Sequence, residues 1–212
     1  MSASIPLMIL SDSVDSQSGL GRIARDIAAH AIQLPEFRVA SLGRGGSGTN
    51  KLPWMQYVMG EHDWGESYIE ERWLDFAGND RGVLLSVYDP ARVRYLVDGR
   101  GADGRLGKFL NSGRFERWLY CPIDASGPRN VLSGVLGDTI RRFDRVAAYG
   151  LWGKGVIERS IGNGGVLLNG REVEWIPHGV NCNAFQPRDR VGARMAVNGT
   201  DGVEVGQGDT LI

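Results

Sequence analysis

Short apolar runs alternate along the chain with stretches whose apolar residues recur every three or four positions. That is the pattern of a parallel α/β sheet with its crossover helices. Pro6–Leu10 (PLMIL) is apolar without alternation, as in a strand covered on both faces, and a Ser/Asp-rich loop follows it. Ile23, Ile27 and Ala31 fall four apart and predict a helix from about Arg22 to Gln33. Phe37–Gly43 reads as a second strand, closed by the glycine-rich GRGGSGTN, which reads as mobile. Met55–Val58 reads as a third strand, before a helix near Tyr68–Phe76. Gly82–Pro90 (GVLLSVYDP) is the clearest buried strand, and Pro90 suits the first turn of a following helix. The polar, glycine-rich DGRGADGRLGKF predicts a mobile surface loop. Strands at Trp118–Ile123, Arg145–Tyr149 and Val173–Ile176 alternate with helices near Val131–Phe143 and Trp152–Ile161. The last stretch, AVNGTDGVEVGQGDTLI, has no aromatic residue and stops on what looks like the start of another strand. The sequence is therefore expected to be a piece of something larger.

Composition narrows the function classes. The 212 residues, 42% hydrophobic, suffice for one full-sized domain with its own core. The 24 basic and 25 acidic side chains nearly cancel, which gives no sign of a nucleic-acid surface or a disordered acidic tail. No apolar run approaches the roughly 20 residues of a transmembrane helix, and Met1–Leu10 lacks the basic start of a signal peptide. Two cysteines, Cys121 and Cys182, point to a reduced, cytoplasmic setting rather than a disulfide framework. The three histidines and two cysteines lack zinc-ligand spacing, so no metal is expected.

The chemistry-bearing stretch is Ser11–Leu34, SDSVDSQSGLGRIARDIAAHAIQL. Gly19-Leu20-Gly21-Arg22-Ile23-Ala24 satisfies G-x-G-x-x-G/A, the dinucleotide pattern, when taken literally. In that fingerprint, however, the first glycine turns the chain immediately after the strand, and here Ser11–Ser18 intervene. The acidic residue expected to hold the ribose is replaced by Ser41, Leu42 and Gly43, although Arg44 would suit a 2′-phosphate. The amides at a helix start nevertheless favour an anion, and Arg22 adds charge. Equally, Gly19 and Gly21 serve a simple turn if Ser18 only caps the helix.

Further segments follow in a telling order: WLYCPIDASGP, RVAAYGLWGKGVIERS and EWIPHGVNCNAFQP. With the long-looped glycine pair in front, the chain resembles the N-terminal domain of family 4 glycosyltransferases of the GT-B fold. IPHGVNCNAFQP is similar to that family's I-P-N-G-V-D-x-x-x-F-x-P signature. Ile176, Pro177, Gly179, Val180, Phe185 and Pro187 match, while His178 and Asn181 depart. Gly19-Leu20-Gly21 looks like the family's G-G-x-G or S-G-x-G loop, and YCPIDASGP resembles its P-V-D-G variant. The likeness spans about Pro6–Pro187.

The resemblance implies a Rossmann-like doubly wound parallel sheet over residues 1–190, one half of a GT-B architecture. Residues 191–212 would then be a linker and the start of a truncated C-terminal domain. It implies retaining transfer of a sugar from a nucleotide-sugar donor to a hydroxyl acceptor, with no metal and no further cofactor. The donor-binding half carries two glutamates eight apart, and no two glutamates here stand eight apart. That half is therefore expected to be missing. Gly19, Leu20, Gly21 and Arg22 would meet the donor diphosphate, and Gly21→Val would sharply reduce turnover while leaving the fold. Asp124 stands where the family has a polar residue or histidine and would orient a hydroxyl, or it only forms the turn before Ser126-Gly127-Pro128. Asp89, Tyr149 and Lys154 would face the acceptor, although Asp89 before Pro90 is equally a helix cap and Lys154 equally a solvated lysine. The GRGGSGTN loop faces the same cleft. His178 would pack and hydrogen-bond in the hinge, or serve as a base. Two other functions stay open, a non-catalytic binding or scaffold module of the same fold and an NADP-dependent oxidoreductase.

Overall fold

The computed structural model describes residues 4–48, 51–98 and 104–179, and positions 182, 187, 189 and 191–193 beyond them. The chain divides into two compact units, Met1–Pro177 and His178–Ile212. In the second, Asp189 starts a helical turn: its carbonyl accepts from the Ala193 N–H at 2.9 Å and its carboxylate from the Gly192 N–H at 2.6 Å. Val180, Asn181 and Phe185 of the signature, and the strand expected at the end of the chain, lie outside the described residues.

The first unit is an α/β domain around a parallel sheet of seven strands. These are β1 (Ile5–Asp12), β2 (Phe37–Arg44), β3 (Met55–Met59), β4 (Gly82–Ser86), β5 (Phe115–Cys121), β6 (Arg145–Ala148) and β7 (Glu174–Trp175). Their order across the sheet is β3-β2-β1-β4-β5-β6-β7, the doubly wound Rossmann-like arrangement. β1 lies between β2 and β4, with Leu7 opposite Val39 on one side and Val83 on the other. The helices are α1 (Gly19–Ala31), α2 (Ile69–Ala77), α3 (Tyr95–Asp98), α4 (Gly104–Leu110), α5 (Gly134–Ile140) and α6 (Leu151–Ile161).

Alternation along β1 divides the core into two layers. Leu7 and Ile9 pack with Ala24, Ala28 and Ala31 of α1, whose small side chains let the helix lie close to the sheet. Met8 and Leu10 join Trp73 of α2, Leu96 of α3, Phe109 of α4, Ile140 of α5 and Ile157 of α6 in the other layer. The continuous apolar run of β1 thus reflects cover on both faces.

Three stretches differ from what periodicity predicts. Within DGRGADGRLGKF, residues 104–109 belong to α4, not to a loop; Leu106, Phe109 and Leu110 are buried at helical spacing, while 99–103 lie outside the described residues. Pro90 starts no helix. The Asp89 carboxylate accepts from the Ala91 N–H at 2.8 Å and its carbonyl from Arg92 N–H at 3.0 Å, closing one turn, and α3 begins only at Tyr95. The helix expected over Val131–Phe143 is shorter because Ser133 caps it from outside, accepting the Leu136 N–H at 3.3 Å.

Leu84, in β4, has no solvent exposure. Leu84→Ala is expected to lower unfolding free energy by about 2–5 kcal/mol, read from urea denaturation, through lost burial and a residual cavity.

Candidate functional site

In a doubly wound sheet, ligands bind outside the carboxyl ends of the strands where the connections diverge, which here is the end of β1 between β2 and β4. Ser11, Asp12 and Ser13 occupy that end and are 1%, 9% and 0% exposed. Buried polar groups need partners, and all three find them: Ser11 and Asp12 in the segment after β4 and in α1 or β2, and Ser13 in Asp15 of its own loop. Ser11 Oγ lies 3.1 Å from the Val87 carbonyl after β4 and 3.3 Å from the Leu20 carbonyl in α1. Asp12 Oδ1 accepts from Arg44 Nε at 3.1 Å, Arg44 Nη2 at 3.0 Å and the Tyr88 hydroxyl at 3.2 Å. Burial and then the Asp12 carboxylate push the Tyr88 hydroxyl well above its ordinary range, so it stays a donor. The Arg44 guanidinium stacks 3.9 Å from the Trp64 ring centre, with Arg92 4.4 Å from the same ring. Arg44 is therefore bound to Asp12 and Trp64, which leaves it poorly placed for a 2′-phosphate.

Ser13 serves the α1 side. Ser18 caps α1, its hydroxyl accepting the Gly21 N–H at 2.9 Å. Of the three amides in Gly19-Leu20-Gly21, that one is satisfied within the chain. The Gly19 and Leu20 N–H groups, at the positive end of the helix dipole, have no hydrogen-bond partner among the described residues. Gly19 and Arg22 are exposed. The two glycines also differ sterically. A Cβ at Gly19 would have nothing within 4 Å, whereas one at Gly21 would stand 2.3 Å from the Ser13 carbonyl oxygen and 2.5 Å from Ser16 Oγ. Gly21→Val therefore cannot leave the fold intact, contrary to the sequence-based expectation.

The described part of GRGGSGTN is tied down rather than loose. Asp15 Oδ2 accepts from the Ser47 N–H at 3.1 Å, Ser47 Oγ at 2.8 Å and the Gly48 N–H at 3.0 Å, and Oδ1 accepts from Ser13 Oγ. Thr49 and Asn50 lie outside the described residues. Burial raises the Asp15 pKa, but these hydrogen bonds outweigh it and hold the carboxyl below its ordinary value.

The acceptor-side residues divide. Asp89 and Asp124 are exposed. Burial and then Asp89 push the Cys121 thiol up to about 12, while burial, Cys121, Tyr120 and Asp124 raise the Tyr149 hydroxyl. Asp89, Asp124 and Tyr149 follow the ends of β4, β5 and β6, and the Tyr149 hydroxyl is buried. The Tyr149 ring packs 4.3 Å from that of Tyr120, whose hydroxyl donates to the Ile176 carbonyl at 2.8 Å. Lys154 forms an ion pair with Glu158 one turn along α6. His178 opens the second unit.

Sequence reasoning missed Asp12, Asp15, Trp64 and Tyr88. The one local signal is for Asp12, the SDS at the end of an apolar strand covered on both faces; Asp15, Trp64 and Tyr88 have none. Among the described residues, no three His, Cys, Asp or Glu side chains converge as metal ligands, and no helix is long and apolar enough to cross a membrane. No model of a known protein family matches the chain, and no curated protein matches it either.

Two outcomes follow from this geometry. Gly21→Ala is expected to cost about 1–3 kcal/mol in urea unfolding, through overpacking against Ser13. Gly19→Ala should stay within about 0.5 kcal/mol of the parent. Asp15 supplies a pH dependence of definite sign. Its folded pKa lies below the ordinary 3.8, so the ionised carboxylate stabilises fully above that value and loses the contribution as pH falls through the folded pKa. The stability gap between the parent and Asp15→Asn should be flat above about pH 5 and close below about pH 4.

Proposed function

We propose that the chain is the acceptor-side half of a retaining, nucleotide-sugar-dependent glycosyltransferase. One observation carries this: two unpartnered amides, Gly19 and Leu20, stand at a helix start beside the strand-order switch, after a long loop rather than a tight turn. A diphosphate leaving group calls for fixed donors of this kind, which need no reorganisation when charge develops. Arg22, exposed in the same turn, adds a cation. Across the strand ends, the exposed Asp89 and Asp124 offer two carboxylates to orient a hydroxyl acceptor, while the Tyr149 hydroxyl is buried and faces no acceptor directly. Lys154, paired with Glu158, contributes less than an unpaired cation would. The donor's nucleotide would be held by a C-terminal half, and the scheme needs neither metal nor cofactor.

The absence of any glutamate pair eight apart in the sequence favours a second role, that of a binding module that does not turn over by itself. An NADP-dependent oxidoreductase is disfavoured by Arg44, whose guanidinium is already on Asp12. The test is a titration of isotope-labelled protein followed through backbone amide shifts. Uridine or guanosine diphosphate is expected to move Gly19 and Leu20 saturably, with NADPH leaving them unmoved. Saturable movement by NADPH, with neither diphosphate acting, would overturn the proposal.

A further inference from the structure

The loop after β2 holds a set of donors that neither the sheet nor the glycine pair of α1 explains. Ser47 N–H, Ser47 Oγ and Gly48 N–H converge on one oxygen, Asp15 Oδ2, at 3.1, 2.8 and 3.0 Å. Three donors on a single anionic oxygen is the coordination that phosphate oxygens receive from glycine-rich loops. Asp15 has no basic partner among the described residues, in a chain with 24 basic side chains. The backbone is shaped around the carboxylate. A Cβ at Gly46 would stand 2.2 Å from Asp15 Oδ1 and 2.1 Å from Ser13 Oγ, so only glycine admits the anion there.

The position matters as much as the donors. Asp15 sits in the loop whose Ser13 carbonyl backs Gly21, four residues before the unpartnered Gly19 amide. Its negative charge therefore lies in the loop that leads into the helix end that attracts anions. A phosphate arriving there meets like charge, and the Ser47 and Gly48 donors are fixed already. We propose that Ser47 and Gly48 form an oxyanion receptor, filled by Asp15 as an internal stand-in, which a phosphate group occupies when the Asp15 side chain swings away. The ligand chemistry is that of a phosphate oxyanion, whether free or within a diphosphate. The receptor stands on its own donors and does not depend on sugar transfer.

The same competition sets how tightly phosphate binds. While Asp15 fills the receptor, only the fraction of molecules with the side chain displaced is competent, and apparent affinity falls by that fraction. Removing the carboxylate restores it.

The experiment is a titration with inorganic phosphate, and separately with uridine diphosphate, of labelled parent, Asp15→Ala and Asp15→Asn. Amide shifts of Ser47 and Gly48 report the receptor, and those of Gly19 and Leu20 report the helix start. In Asp15→Ala, phosphate should move Ser47 and Gly48 with apparent affinity about tenfold or more above the parent. Asp15→Asn, nearly the same shape, serves if the alanine variant does not fold, and should show a smaller gain in the same direction. Unmoved Ser47 and Gly48 amides in a folded variant would overturn the receptor, even if Gly19 and Leu20 respond. Movement of Ser47 and Gly48 alone would support it and count against the diphosphate role of the helix start. A response to uridine diphosphate but not to inorganic phosphate assigns the receptor to a diphosphate-bearing ligand.

Discussion

Three consecutive polar residues at the end of the central strand are almost wholly buried, and the geometry of the surrounding loops follows from how each is satisfied. An unsatisfied buried hydroxyl costs about 1–3 kcal/mol, and an unpaired carboxylate more. Ser11 therefore draws the start of α1 and the chain after β4 together. Asp12 draws Arg44 of β2 and Tyr88 to the opposite face, and the Arg44 guanidinium then lies against Trp64. Ser13 reaches Asp15, whose carboxylate gathers the loop after β2. The loops after β2, β3 and β4, remote in sequence, and the adjoining start of α1 take their places from a run of three residues.

The strands and most helices were legible because burial repeats itself locally: PLMIL, FRVASLG and GVLLS announce themselves wherever they sit. α4 was legible in principle, since Leu106, Phe109 and Leu110 have helical spacing, but the glycines and charges around them mask a pattern only three residues strong. The site was half legible. The glycine pair was visible, yet nothing local distinguishes Gly19, which is open, from Gly21, which is packed against Ser13. That distinction comes from a loop folding back. The contacts of Asp15 with Ser47, and of Asp12 with Arg44, join residues about thirty apart and leave no periodic trace. Asp89 shows the opposite limit: its role as a cap was readable from the following proline, but not that the turn would stop after one round.

The electrostatics of this edge rest more on backbone than on side chains. Arg44 is balanced by Asp12, and Lys154 by Glu158. The glycine loop adds a pair of amide dipoles at a helix start, beside the exposed Arg22. Such a field is short in range and fixed in direction. It selects a ligand by the placement of its oxygens more than by total charge, unlike the diffuse attraction of a basic surface.

The central placement of β1 also has a consequence for how the molecule comes into being. Ser11 and its partner Val87 are separated by 76 positions, so β1 is made well before β4. Until the chain through β4 has left the ribosome, one edge of the most apolar strand has no neighbour. Parallel pairing of this kind forms late and exposes unpaired strand edges meanwhile. The arrangement that brings the loops after β2, β3 and β4 to one point in the finished protein therefore makes β1 dependent on protection during synthesis.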